Sequence, residues 1–231
     1  MGRKPSMVAV KKTFEDMVES SRSLHAAIRP YTVRSYEGIA ENPLHPNQAR
    51  KVVGLALIGA LAAWEEFLEA VFVRYLAGAC SPSGYVPSLR LGQADSIKHA
   101  YEVLTGDSRY NPEKKVLSWT SLPAVIKSVE LLFCEGHPFR VPLEEWEQSL
   151  QDAFIIRNRV AHSSRKARND FKRVALQHLG RSENGSLSQG YSAGDLLLES
   201  SVRGFRSLGK QDDYFSAYMT MLLDLARKIA P

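Results

Sequence analysis

The stretch from Asn47 to Gly78 constrains this chain more than any other. Leu57, Leu61, Trp64, Leu68, Val71, Phe72 and Tyr75 recur at three- and four-residue spacing and form one apolar stripe. A stripe of that kind predicts a long helix at the centre of a helical bundle or in the seam of a dimer. The helix is not expected to span a bilayer. Its longest nearly uncharged run, Val52–Trp64, covers 13 residues, whereas a membrane span needs about 20.

The other segments carry the same period. Thr13 and Asp16 read as a capping box for a helix over Lys12–Arg29, with Phe14, Met17, Val18, Ser21, Leu24 and Ile28 on its apolar side. Pro30 ends it, and Tyr31–Pro46 reads as a loop. Shorter helices are predicted over Ala94–Leu104 and Leu122–Phe133, then a clear one from Leu143 to His162 opened by Pro142. A basic, partly helical stretch runs over Ser163–Arg181, followed by a flexible Gly/Ser-rich loop over Arg181–Gly194. Tyr214, Tyr218, Met221, Leu222, Leu225 and Ile229 mark a closing helix. Only Leu196–Val202 has strand character. The expected architecture is all-α: a single-domain bundle of about five to seven helices, with its core over about 12–162 and the closing helix over about 211–229.

Charge and cysteine usage narrow the class. Thirty Lys and Arg against 25 Asp and Glu give a net charge of +5, which permits polyanion binding without demanding it. Met1–Lys12 is polar and holds Arg3, Lys4, Lys11 and Lys12, so a secretory leader is not expected. Two cysteines, Cys80 and Cys134, without CxxC spacing point to a reduced, cytoplasmic chain with both thiols buried.

The predicted Leu143–His162 helix holds the candidate chemistry. Leu143, Trp146, Leu150, Ala153, Phe154 and Ala161 share one face, and Arg157 falls among them. A guanidinium does not shed its charge, so an arginine there needs a carboxylate, a phosphate or a wet cleft. Asn158 and His162 flank it and can point into the same groove. On the long central helix Glu65 lies within the apolar stripe, between Leu61 and Leu68, a natural partner for a buried arginine. The simplest alternative is an interior salt bridge that only fixes helix register.

Arg157-Asn158-Arg159-Val160-Ala161-His162 resembles the R-x4-6-H signature of the HEPN superfamily, with Asn158 as the polar residue after the arginine. The resemblance extends over Gly54–His162 and includes Ala63-Trp64-Glu65-Glu66-Phe67 on the preceding long helix. It implies an all-α bundle and a metal-independent endoribonuclease acting as a homodimer, often as a toxin held by an antitoxin or as an antiphage effector. The implied reaction is attack of an RNA 2′-hydroxyl on the neighbouring phosphate, giving a 2′,3′-cyclic phosphate. In it His162 is general base or acid, a role suited to the residue type that titrates nearest neutrality. Arg157 holds the scissile phosphate, Asn158 orients the backbone or the histidine, and Glu65 positions Arg157. Arg159, Arg165, Lys166 and Arg168 would hold flanking phosphates of the RNA. No metal and no cofactor is implied, and none of the six histidines is spaced as a ligand to another. The alternative is a catalytically inactive HEPN-like scaffold that binds RNA or a partner protein.

Three weaker signals are set aside. Gly204–Lys210 fits G-x4-G-K, but Gln211 stands where a P-loop needs Ser or Thr. Trp64, Phe67, Phe72 and Tyr75 are expected in the core. Tyr191 could stack on a base from the Gly/Ser loop.

Overall fold

A computed structural model describes residues 6–29, 45–115 and 117–231. Among them the chain is all-α, with nine helices: α1 Met7–Ile28, α2 Pro46–Leu76, α3 Ile97–Thr105, α4 Leu122–Leu132, α5 Arg140–Glu145, α6 Glu147–Ala161, α7 Arg165–His178, α8 Ala193–Leu197 and α9 Tyr214–Ile229. Helices α5 and α8 have six and five residues, and the other seven match the upper end of the expected number. The loop expected over Tyr31–Pro46 lies, except for its last two residues, outside the described residues. No helix among the described residues is long and apolar enough to cross a membrane. The chain divides into two compact units. One comprises residues up to Asp16, Ala63–Glu147 and Leu222–Pro231; the other comprises Met17–Ala62 and Gln148–Met221.

The predicted stripe of α2 is buried throughout, from Leu57 to Tyr75. Ala49, Val53, Ala60, Phe67 and Val73 are buried as well, so the helix is covered around most of its circumference. Each large side chain sealed in this way contributes roughly 1.5–3 kcal/mol. In the first unit the predicted aromatic core forms: Phe14 packs on Phe67 at 4.8 Å between centroids, and Phe72 meets Phe139 at 5.2 Å and Trp119 at 5.3 Å. The Tyr75 hydroxyl donates to the Ile229 carbonyl at 2.9 Å. Burial pushes that phenol well above its ordinary range.

Several expectations are corrected. Helix α1 starts at Met7, so Thr13 lies in its interior and caps nothing. Its buried side is Phe14, Val18, Ser21, His25 and Ile28, while Met17 and Leu24 are exposed. The helix expected over Leu143–His162 is broken at Trp146 (φ −108°, ψ 14°), where the indole N–H donates to Asp224 at 3.2 Å. Pro142 sits in the first turn of α5, where the N–H it lacks would have had no helical acceptor. Leu196–Val202 is not a strand. Ser192 and Asp195 close a capping box that starts a short helix there instead. Cys80 is exposed and Cys134 only partly buried.

The second unit holds two histidine–carboxylate contacts in its interior. His25 Nε2 lies 2.9 Å from Asp213 Oδ2, and His178 Nε2 lies 3.3 Å from Asp152 Oδ2, with each carboxylate only 2% exposed. Burial alone would raise the Asp213 carboxyl, but His25 and the Ser216 N–H at 2.9 Å outweigh it and hold the group below its ordinary value. A carboxylate depressed in the folded state stabilises it above the unfolded value of about 3.9, and that stability disappears as pH falls through the folded value. Thermal melts of wild type and Asp213→Asn from pH 7 down to pH 2 check this: as pH drops below about 4, wild type is expected to lose melting temperature more steeply than the variant. At pH 7 Asp213→Ala, which strands the buried imidazole, is expected to cost about 1–3 kcal/mol.

Candidate nucleic-acid interface

The orientation of α6 is set from its buried side. Leu150, Ala153 and Ile156 are buried, and so is Asp152. The Asp152 carboxylate accepts from Gln148 Nε2 at 2.8 Å and faces His178. The His178 ring is in turn 3.2 Å from the Tyr218 hydroxyl, and its carbonyl accepts from the Tyr214 hydroxyl at 2.9 Å. The network therefore links α6, α7 and α9 through a carboxylate that the buried surface would otherwise penalise.

With about 100° per residue, Arg157 stands roughly 140° around the helix from Asp152. That direction is shared with Leu150, Ala153 and Phe154, so the guanidinium lies on the apolar face as expected, and near the C-terminal end of the helix it is partly exposed. It lies over the Phe154 ring, 5.7 Å from the centroid, and Nη1 donates to Asn158 Oδ1 at 3.4 Å. A guanidinium on an aromatic face loses little hydration while gaining a cation–π contact. The interior charge of α6 is Asp152, and sequence reasoning missed it. Its partner His178 lies on a different helix, so no local spacing signals the pair.

Helix α6 ends at Ala161, and His162 follows at its C-terminus, exposed. The His162 N–H donates to the Asn158 carbonyl at 2.9 Å, and Arg159 Nη1 donates to the His162 carbonyl at 3.3 Å. The backbone of the histidine is thus held on both sides while its ring faces solvent. Cations here also complement the negative end of the helix. Three residues later α7 begins, capped by the Ser164 hydroxyl, which accepts from the Ala167 N–H at 3.2 Å. Ala167, Phe171, Val174 and Ala175 form its buried side. Arg165, Lys166, Arg168, Lys172 and Arg173 are all exposed, with Lys166 paired to Asp170.

The second unit therefore brings together Arg157, Asn158, Arg159 and His162 at one end of α6, followed directly by the cations of α7. Glu65 belongs to the first unit. It is partly buried there and lines a cleft of about 460 Å³ with Glu69, Arg74, Tyr101 and Trp119. In that cleft Glu69 accepts from the Tyr101 hydroxyl at 2.7 Å and the Trp119 indole at 2.8 Å. Tyr191 is not offered to a base: it is partly buried, its ring parallel to Phe171 at 6.5 Å. Gly204–Lys210 forms a turn around a 3-10 segment, Arg206–Leu208, with no strand before it among the described residues. No group of three or more metal-binding side chains occurs among the described residues.

Sequence reasoning also missed Asn47, Arg50 and Lys51 at the start of α2. They line a groove with Arg159, Gly194 and Asp195. The signal was present: Asn47, Arg50, Lys51 and Gly54 repeat at helical spacing. Two glycines bring the walls of this region close. A Cβ on Gly54 would meet Val160 Cγ2 at 3.0 Å, and one on Gly194 would meet the Arg50 backbone oxygen at 2.3 Å.

The chain matches no protein-family model, no curated protein and no solved structure.

The glycine geometry sets a contrast that thermal denaturation can check. Gly194→Ala puts a methyl into backbone and is expected to cost about 1–3 kcal/mol, the usual range for overpacking. Gly59→Ala in mid-α2, where nothing stands within 4 Å, is expected to raise stability by roughly 0.5–1 kcal/mol.

Proposed function

We propose that the chain is a metal-independent endoribonuclease of the HEPN type, working as a homodimer in the cytoplasm as a toxin or antiphage effector restrained by a partner protein. The observation that supports this reading best is the exposed end of α6. Arg157 is partly exposed rather than sealed in the core, Asn158 and His162 are exposed beside it, and a cationic helix face follows. A general acid or base has to reach its substrate before its pKa matters, and an imidazole on a fixed backbone at a helix end meets that condition.

In this reaction the 2′-oxygen forms a bond to the adjacent phosphorus as the P–O5′ bond breaks. The products are a 2′,3′-cyclic phosphate and a 5′-hydroxyl, and the proton leaving the 2′-oxygen balances the one gained by the 5′-oxygen. His162 carries one of these transfers. Arg157 donates to the phosphate oxygens and offsets charge as it develops on them, and Asn158 holds both the guanidinium and the backbone of His162. Arg165, Lys166 and Arg168 contact flanking phosphates without reading bases. A second reading, an inactive scaffold that binds RNA or protein, is favoured by the stacking of Arg157 on Phe154, which gives that residue a structural use.

Incubating purified protein with single-stranded RNA in EDTA decides between them. Wild type is expected to cleave, with His162→Ala reducing the rate about 10²–10⁴-fold, and Arg157→Lys, which removes the planar fork, slowing it while leaving the melting temperature near wild type. RNA left intact by wild type, or cut equally well by His162→Ala, contradicts the proposal.

A further inference from the structure

The groove at the start of α2 is a built feature with its own chemistry, beyond the α6 motif. It has a volume of about 390 Å³, within the roughly 300–1,000 Å³ typical of small-ligand sites. Three cations and one carboxylate line it: Arg50, Lys51, Arg159 and Asp195. Asp195 does not neutralise the site so much as fix one wall. Its Oδ1 is 2.6 Å from Arg50 Nε, while Oδ2 accepts from the Ser192 N–H at 2.9 Å and the Ser192 hydroxyl at 2.7 Å. Asn47 Oδ1 takes a second Arg50 proton, from Nη1 at 2.8 Å.

A guanidinium has five N–H donors in a rigid fork. With Nε and one Nη1 proton engaged, the outer protons of Arg50 remain to meet a ligand at the mouth of the groove, where its side chain is 38% exposed. Lys51 is exposed beside it, with no acidic partner among the described residues. Arg159 reaches the groove from α6 while donating to the carbonyl of His162, so one residue connects this groove to the histidine. Gly194 keeps the third wall at backbone distance from Arg50. The net positive charge, a preorganised fork and room for one nucleotide but not a duplex describe a site for the phosphate of a nucleotide unit.

We propose that this groove is a subsite for a backbone phosphate of single-stranded RNA beside the cleavage position, held by Lys51, Arg159 and the outer edge of the pinned Arg50 guanidinium. The inference rests on the nuclease reading for its choice of strand, and a free mononucleotide would present the same phosphate chemistry. Both ligands are therefore tested as probes, in a form that separates binding from cleavage. A fluorescein-labelled 2′-O-methyl hexauridylate cannot be cut by 2′-oxygen attack, and its binding is read by anisotropy against a salt series for wild type, Lys51→Ala and Lys51→Glu. Uridine 5′-monophosphate serves as competitor.

The expected result is weaker hexamer binding in Lys51→Ala, with a logarithmic salt slope lower by about 0.7. Lys51→Glu should lose about tenfold or more in affinity, uniformly across base sequences, at an unchanged melting temperature, and the mononucleotide should compete only weakly. Hexamer binding unaffected by Lys51→Glu overturns the proposal. So does tight competition by the mononucleotide, which would assign the groove to a free nucleotide. Because the hexamer resists cleavage, Lys51-dependent binding by a protein that fails to cut RNA leaves the groove standing and the nuclease reading refuted. Cleavage without any Lys51 dependence of binding does the reverse.

Discussion

A single inward-facing carboxylate fixes how α6 meets the interior of the second unit. Asp152 is 2% exposed, and an ionisable group in such a position survives only with partners. Gln148 and His178 supply them, and Tyr214 and Tyr218 hold His178 from α9. Arg157 shares its direction with Leu150, Ala153 and Phe154, and near the end of the helix it stacks on the Phe154 ring while staying partly exposed. As it stands, the α6 terminus carries a guanidinium, an amide and an imidazole within one and a half turns, on a backbone tied by Asn158 and Arg159.

The same economy of partners shapes the neighbouring groove. Arg50, which the sequence pattern leaves inconspicuous among polar residues before an apolar helix, is turned into a fixed donor by Asn47 and Asp195. Asp195 in turn is available because its capping box with Ser192 starts α8. Local helix-cap chemistry and the shape of this groove are here one set of hydrogen bonds. The absence of a side chain at Gly194 completes it, since backbone meets backbone at that point.

What could be read from the residues follows a physical rule. Periodicity reports burial, so the stripe of α2, the aromatic cluster around Phe72 and the closing helix from Tyr214 were legible, as was the all-α class. Interactions between residues far apart in sequence were not. The break at Trp146 coincides with its indole donating to Asp224, far away in sequence, and the pattern on either side runs on without interruption. The inward turn of His25, where the pattern favoured Leu24, depends on Asp213. The interior placement of Asp152 depends on His178. Of the candidate site, Arg157, Asn158, Arg159 and His162 were legible as a cluster on one helix end. In the adjacent groove the helical spacing of Asn47, Arg50 and Lys51 was legible, but their meeting with Arg159 and Asp195 was not, because three separated segments supply the lining.

The central claim is that the end of α6 is built to move protons at a phosphodiester whose own 2′-hydroxyl is the nucleophile. A DNA oligonucleotide containing one ribonucleotide tests this most directly, incubated with the protein in EDTA and resolved by mass spectrometry. The account predicts a single cut on the 3′ side of the ribonucleotide, leaving a 2′,3′-cyclic phosphate on one fragment and a 5′-hydroxyl on the other, with the all-DNA control intact. An uncut chimera, cuts at deoxynucleotide positions, or a fragment ending in a 5′-phosphate would contradict it.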